Sequence, residues 1–248
     1  MKILITRPRA QADELAEQLR SAGFETVYFP VIEIRSMEDN TALDRALEKL
    51  DCYEWVVFTS VNAVNVVIDR FPSSFQIERL NVKVAAIGPK TAGALKKHGI
   101  TPHFVPEEYI AEAILPGLGD VRGKWVLLPR AEIARKALPE AIFQADGIPH
   151  EISVYKTLPA QPDPEGLAAL RSGVDVITLT SPSTVQNFIA IARQNGLDPL
   201  HLPNNPVFAC IGPITEQAAR EEGLVNLTMA NKYTTEGLTE AISSLEES

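Results

Sequence analysis

Four short segments place hydroxyls or glycine where an apolar run gives way to a helical pattern: Thr59-Ser60-Val61-Asn62, Gly88-Pro89-Lys90-Thr91, Thr180-Ser181-Pro182-Ser183 and Gly212-Pro213-Ile214-Thr215. Ser60 and Ser181 are good N-cap residues, Gly88 and Gly212 are acceptable ones, and Pro89, Pro182 and Pro213 suit the first helical position. A helix start of this kind exposes backbone N–H groups and the positive end of the helix dipole, which suits a carboxylate or a phosphate. The side chains of Ser60, Asn62, Thr91, Ser181, Ser183 and Thr215 add further donors. One such turn is equally well explained as a helix start and nothing more. Four turns of two matched kinds point to an anion-binding edge.

Two further residue types bear on chemistry. Arg7, Arg9 and Arg130 lie just past apolar runs, where a guanidinium pairs bidentately with a carboxylate or bridges neighbouring loops. Tyr155 is the one aromatic of the extended stretch Ile152–Thr157, and a tyrosine of ordinary pKa, ~10, is a proton donor at neutral pH. Packing is the plain alternative for it.

Other chemistries find little support. Gly117-Leu-Gly-Asp-Val-Arg-Gly123 is one residue too long for a dinucleotide fingerprint and follows a helical stretch, and Ile87-Gly-Pro-Lys-Thr91 lacks the Gly-Lys pair of a P-loop. No G-x-S-x-G elbow occurs. The four histidines (His98, His103, His150, His201) have no metal-ligand spacing, so no metal and no cofactor are expected. Cys52 and Cys210 sit in or after apolar stretches and read as reduced, partly buried thiols.

The elements that must position these residues alternate. Apolar runs at 2–5, 55–58, 84–87, 125–128, 176–179 and 207–211 read as buried strands. Between them, apolar residues recur at helical spacing, as in Ala12, Leu15, Ala16 and Leu19 or Leu138, Ile142 and Ala145. Gly23, Gly99, Gly147 and Gly223 fall where helices should end. The fold class is therefore α/β with parallel sheets. The pattern also repeats. Val84–Thr91 resembles Phe208–Thr215 at an offset of 124 residues, and the same offset carries Gly23 onto Gly147 and Tyr109 onto Tyr233. Ile3–Arg9 has a counterpart in Trp125–Arg130, where Arg130 matches either Arg7 or Arg9. A period this long means duplicated domains. Pro30–Arg35 and Ile152–Thr157 interrupt the alternation at equivalent places and read as two connectors between two lobes, which makes a hinged cleft.

Composition sets the outer bounds. With 248 residues, 45% hydrophobic and 22% charged, the chain is an ordinary globular protein of one large or two modest domains. Its net charge of −9, without a basic run, excludes a phosphate-backbone partner, so no nucleic acid is expected. No apolar run approaches the ~18 residues of a membrane span, and the start Met1-Lys-Ile-Leu-Ile5 lacks the apolar stretch of a signal peptide. A cytoplasmic monomer is the expectation.

Taken in order, Thr6-Arg7-Pro8, Phe58-Thr-Ser60 with Asn62–Val64, Ile87-Gly-Pro-x-Thr91, Val154-Tyr-Lys-Thr157, Leu179-Thr-Ser181 and Ile211-Gly-Pro-x-Thr215 resemble the uroporphyrinogen-III synthase family over essentially the whole chain. The resemblance implies two similar parallel-sheet, flavodoxin-like lobes joined by a two-stranded linker. One lobe would be discontinuous, residues 1–33 plus 158–248; the other would be 36–153, with linkers at about 30–36 and 152–158. It implies a cofactor-independent lyase that takes hydroxymethylbilane, a linear tetrapyrrole carrying eight carboxylates. The enzyme expels the terminal hydroxyl, inverts ring D through a spiro intermediate and closes uroporphyrinogen III. It further implies that Tyr155 assists hydroxyl departure and that Ser60, Thr91, Ser181, Thr215, Arg7 and Arg130 contact substrate. Lys90 and Ile214 occupy equivalent places, so the two Gly-Pro turns cannot act identically. The competing reading is a non-catalytic two-lobed binding module for a small polyanionic metabolite.

Overall fold

The computed structural model describes residues 1–71, 82–108 and 113–246; Tyr109 lies outside them. In chain order the elements are β1 Lys2–Ile5, α1 Arg9–Ser21, β2 Glu25–Tyr28, β3 Ile32–Ser36, α2 Thr41–Glu48, β4 Trp55–Phe58, α3 Val61–Ile68, β5 Lys83–Ala86, α4 Pro89–Lys97 and α5 Leu115–Leu118. They continue with β6 Trp125–Ala131, α6 Ala137–Gln144, β7 Ile148–Pro159, α7 Pro164–Ser172, β8 Val176–Leu179, α8 Pro182–Gln194, β9 Val207–Cys210, α9 Pro213–Glu221, β10 Leu227–Met229 and α10 Thr235–Ser243. The chain divides into two compact units, Met1–Glu33 with Leu158–Ser248, and Ile34–Thr157. The first is called the split unit below, the second the continuous unit.

The split unit carries a five-stranded sheet in the order β10-β9-β8-β1-β2, with every neighbouring pair parallel. Both faces are covered, which explains why Ile3, Leu4 and Ile5 are all fully buried despite alternating sides. Ile3 and Ile5 meet Ala12, Leu15, Ala16 and Leu19 of α1 and Leu238 and Ile242 of α10. Elsewhere in this unit Phe188 of α8 makes edge-on contacts with Phe29 (6.4 Å between centroids) and Phe208 (5.9 Å). Two buried threonines tie β1 to β8: the Thr6 hydroxyl donates to the Thr178 carbonyl, and the Thr178 hydroxyl donates to the Leu4 carbonyl at 3.3 Å.

The continuous unit has the sheet order β3-β7-β6-β4-β5, and β6 pairs in parallel with both β4 and β7. Strand alternation sends Val56 and Phe58 to one core with Ala63, Val64, Val67 and Leu95, from α3 and α4. Trp55 and Val57 go to the other, with Leu118, Leu138 and Ile142, from α5 and α6. Among the described residues no helix is long and apolar enough to cross a membrane.

Three expectations need correction. Gly147 is not a left-handed helix terminator: Asp146, at φ 58°, takes that role, whereas Gly23, Gly99 and Gly223 have positive φ as expected. Gly147 is instead needed for space, since a Cβ there would sit 2.8 Å from Ile142 Cγ2. Arg130 does not follow its strand but lies within β6, which runs on to Ala131. Cys52, in a short 3-10 turn before β4, is exposed, whereas Cys210 is buried; neither is disulfide-bonded.

Candidate active site

Strands β4, β5, β6 and β7 pair in parallel, so their ends share one sheet edge. That edge is where ligands bind in open α/β sheets. Ser60 leaves β4 in extended conformation and caps α3, its Oγ accepting the Ala63 N–H at 3.1 Å. Gly88 caps α4 with Pro89 at the first position. Asn62 is half-buried in the first turn of α3, and Thr91 lies 4% exposed in that of α4.

Tyr155 comes to the same edge from β7. Its ring is buried with Phe58 and Val64, and its hydroxyl donates to Ser60 Oγ at 3.1 Å. Ser60 Oγ thus accepts from both Tyr155 and Ala63, which leaves its own proton available for a third partner. The helix N-terminus adds positive potential beside this pair.

Arg130 is 9% exposed, with Nη1 donating to Glu151 Oε2 at 2.9 Å and Nη2 donating to the Arg135 carbonyl. Lys136 joins the same carboxylate at 3.1 Å. Lys2 pairs with Glu25 as Trp125 pairs with Ile148, and five residues beyond Lys2 and Trp125 stand Arg7 and Arg130.

In the split unit the ends of β1, β8 and β9 likewise share an edge. Arg7, just past β1, is half-buried; burial pulls its pKa below the usual arginine value, and Glu14 opposes that shift. Ser181 forms a capping box with Thr184, accepting its N–H at 3.2 Å, and its hydroxyl lies 3.0 Å from that of Ser183. Gly212 caps α9, and Thr215 in the first turn is 3% exposed. The Tyr233 ring packs against Gly212, where a Cβ would lie 3.2 Å from it.

Within its own unit, each edge therefore assembles the residues singled out by the turns. Sequence reasoning missed Glu151, Arg135 and Tyr233. Glu151 had a signal, a carboxylate inside an extended run. Tyr233 had one too, in its place in the repeat.

A family model described as uroporphyrinogen-III synthase HemD matches residues 13–240. The chain is 32% identical over 247 residues to the uroporphyrinogen-III synthase of Synechococcus elongatus, covering 97% of this chain and 93% of that one. It is 31% identical to a putative uroporphyrinogen-III synthase of Methanothermobacter thermautotrophicus, with 96% of each covered. Among solved structures, the uroporphyrinogen-III synthetase of Helicobacter pylori superposes with a TM-score of 0.66 at 20% identity, covering 98% of this chain and 99% of that one. A mutant uroporphyrinogen III synthase of Thermus thermophilus gives 0.61 at 19% identity, over 100% of both. These two likenesses speak for the α/β fold; the family model and the closer sequence relatives go further, and the chain belongs to the uroporphyrinogen-III synthase family, enzymes that cyclise hydroxymethylbilane in tetrapyrrole biosynthesis.

Proposed function

We propose that this chain converts hydroxymethylbilane to uroporphyrinogen III, with the Tyr155–Ser60 pair as the proton source for departure of the terminal hydroxyl. The hydrogen bond of 3.1 Å between them, at the sheet edge beside the start of α3, is the observation that carries this reading. The C–O bond breaks with its electron pair on oxygen, a proton from Ser60 completes water, and Tyr155 returns a proton to Ser60. The substituted α-carbon of ring D attacks the pyrrole-stabilised cation left behind and forms the spiro intermediate. The bond from that carbon to the methylene of ring C then breaks, the free α-carbon of ring D bonds to the methylene cation so formed, and the proton it loses returns to the Tyr155 oxygen, closing the inverted macrocycle. The remaining work is orientation, because the linear substrate also closes without rearrangement.

The substrate carboxylates are assigned to the helix starts. In the continuous unit these are the turns of Ser60 and Asn62 and of Gly88 and Thr91. In the split unit they are the turns of Ser181 and Ser183 and of Gly212 and Thr215, together with Arg7. Backbone N–H groups and hydroxyls bind anions without a cationic surface, in keeping with a chain of net charge −9. We read the two units as products of duplication: each pairs a serine-capped helix with a Gly-Pro helix on neighbouring strands. Residues about 30–36 and 152–158 are then the linkers, and a cytoplasmic monomer needing no cofactor is the working form.

Incubation with freshly generated hydroxymethylbilane, followed by oxidation and chromatography of the porphyrin isomers, tests the activity. Mostly type III product is expected. Only type I, the product of spontaneous closure, would mean that the fold serves binding alone.

A further inference from the structure

We propose that Arg130 is a positioning residue that keeps the Tyr155 hydroxyl on Ser60, and that it does not anchor a substrate carboxylate. This rests on the role given to Tyr155 above.

The strand pairing shows what has to be held. Along β6 and β7 the register runs evenly to Arg130, opposite Ser153, and then slips, so that Ala131 stands opposite Tyr155. One extra residue, Val154, is accommodated in β7 at that point. In a regular strand side chains alternate, so Tyr155 would project from the same face as exposed Ser153 and away from Ile152 and Val154. The slip breaks this alternation. Ile152, Val154 and Tyr155 all enter the core that contains Phe58, Ala63 and Val64, and only there does the Tyr155 hydroxyl meet Ser60. Bulges re-aim side chains in this way, and they leave the ladder locally weakened.

The segment after β6 closes that weak point, and Arg130 holds the segment. At its near end the Glu132 N–H donates to the Tyr155 carbonyl at 2.8 Å. At its far end the Arg130 guanidinium binds the Arg135 carbonyl, while its other arm grips Glu151 four residues before Tyr155 on β7. The guanidinium thus clamps strand and segment on either side of the slip. It is nine-tenths buried, and its Nε is buried without a hydrogen-bond partner. A planar fork with two occupied arms suits such a bridge; a lysine could serve one arm only.

Steady-state kinetics with hydroxymethylbilane on Arg130→Met, Arg130→Lys, Tyr155→Phe and Arg130→Met/Tyr155→Phe test the assignment. A misplaced proton donor lowers turnover by up to about 10²-fold. The expected result is a large fall in kcat with KM little changed in Arg130→Met, a partial rescue in Arg130→Lys, and no further loss when Arg130→Met is added to Tyr155→Phe. A raised KM with kcat preserved, and losses that multiply in the double variant, would overturn the proposal in favour of a carboxylate anchor. If Tyr155→Phe alone turns over normally, the reading of Tyr155 fails; if it is slow while Arg130→Met is not, only the positioning role fails. Should Arg130→Met not fold, Glu151→Gln removes one arm of the clamp and is expected to lower kcat in the same direction. Unchanged kcat there would also overturn it.

Discussion

Tyr53 and His150 form a stacked, hydrogen-bonded pair: their rings lie 5.9 Å apart and 9° from parallel, and the Tyr53 hydroxyl sits 2.6 Å from His150 Nδ1. Trp125 meets both rings edge-on. Tyr53 lies two residues before Trp55, the first residue of β4, and Trp125 opens β6, so the cluster joins the strand starts of the continuous unit, at the end of the sheet opposite Ser60. Tyr53→Phe is expected to lower stability by about 1 kcal/mol, the net worth of a typical hydrogen bond. Urea denaturation measures that loss, and the isomer ratio of the porphyrin product should not change.

The two thiols should behave differently. Burial pushes Cys210 up to about 12, whereas Cys52 is exposed. Only the thiolate alkylates, so iodoacetamide at neutral pH should label Cys52 in the folded protein and reach Cys210 only after unfolding. Rapid labelling of both in the native state would contradict the burial of Cys210.

Alkaline pH should unfold the protein earlier than its carboxylates alone would suggest. The folded-state pKa values of Cys210 and Tyr53 are both raised by burial. A group raised in this way stabilises the fold fully below its unfolded pKa, and that contribution is lost as pH climbs through the folded value. For Cys210 the window runs from the usual thiol range, ~8.5, to about 12; for Tyr53 it starts at ~10. Urea midpoints should therefore fall steadily above pH 9, and Cys210→Ala should flatten the first part of that decline.

Ser60 and Tyr155 should not be equivalent in kinetics. Tyr155→Phe preserves the buried ring and removes one proton donor, with a loss in turnover of about 10²-fold or more expected for a general acid. Ser60→Ala removes the cap of α3 as well as the proton that faces substrate, so it should also lower stability by about 1 kcal/mol. Ser60→Thr, which keeps the hydroxyl, should recover the cap. Normal turnover in Ser60→Ala would take the serine out of the proton path.

Gly147→Ala checks the correction made at the end of α6. The added Cβ would lie 2.8 Å from Ile142 Cγ2 and 3.0 Å from the Ile142 carbonyl. Overpacking of this kind typically destabilises by about 1–3 kcal/mol. A neutral outcome would mean that Ile142 yields easily.

The sheet edges were legible because their residues are local signals: a Thr-Ser or Gly-Pro after a short, largely apolar run marks both a strand end and a helix start. The length of β7 was not. Its extra residue at Val154 breaks the period of two, so residues 152–157 read as a connector although the strand runs from Ile148 to Pro159. Arg130 was misplaced for a related reason, as Pro129-Arg130 looks like a strand terminator but pairs within β6. The Tyr155–Ser60 contact spans 95 residues, and no local pattern encodes a meeting at that distance. The division of the chain into units raises the same difficulty: nothing in residues 1–33 announces a partner beyond residue 157.

That division bears on how the protein is made. β1 lies inside its sheet, and its other neighbour, β8, is held in part through a hydrogen bond of 2.6 Å from the Lys2 N–H to Asp175, 173 residues further along. When β1 and β2 leave the ribosome, three fully buried side chains, Ile3, Leu4 and Ile5, have half a binding surface and must wait while the whole continuous unit is translated. That unit can fold as it emerges, since its strands form one continuous stretch of chain from Ile32 to Pro159. Completion of the other is deferred until the closing stretch arrives, a pairing of high contact order and therefore slow. The newborn chain passes through a stage with one finished unit and one apolar strand, β1, that has not met β8, and it is at that stage that chaperones would have something to hold.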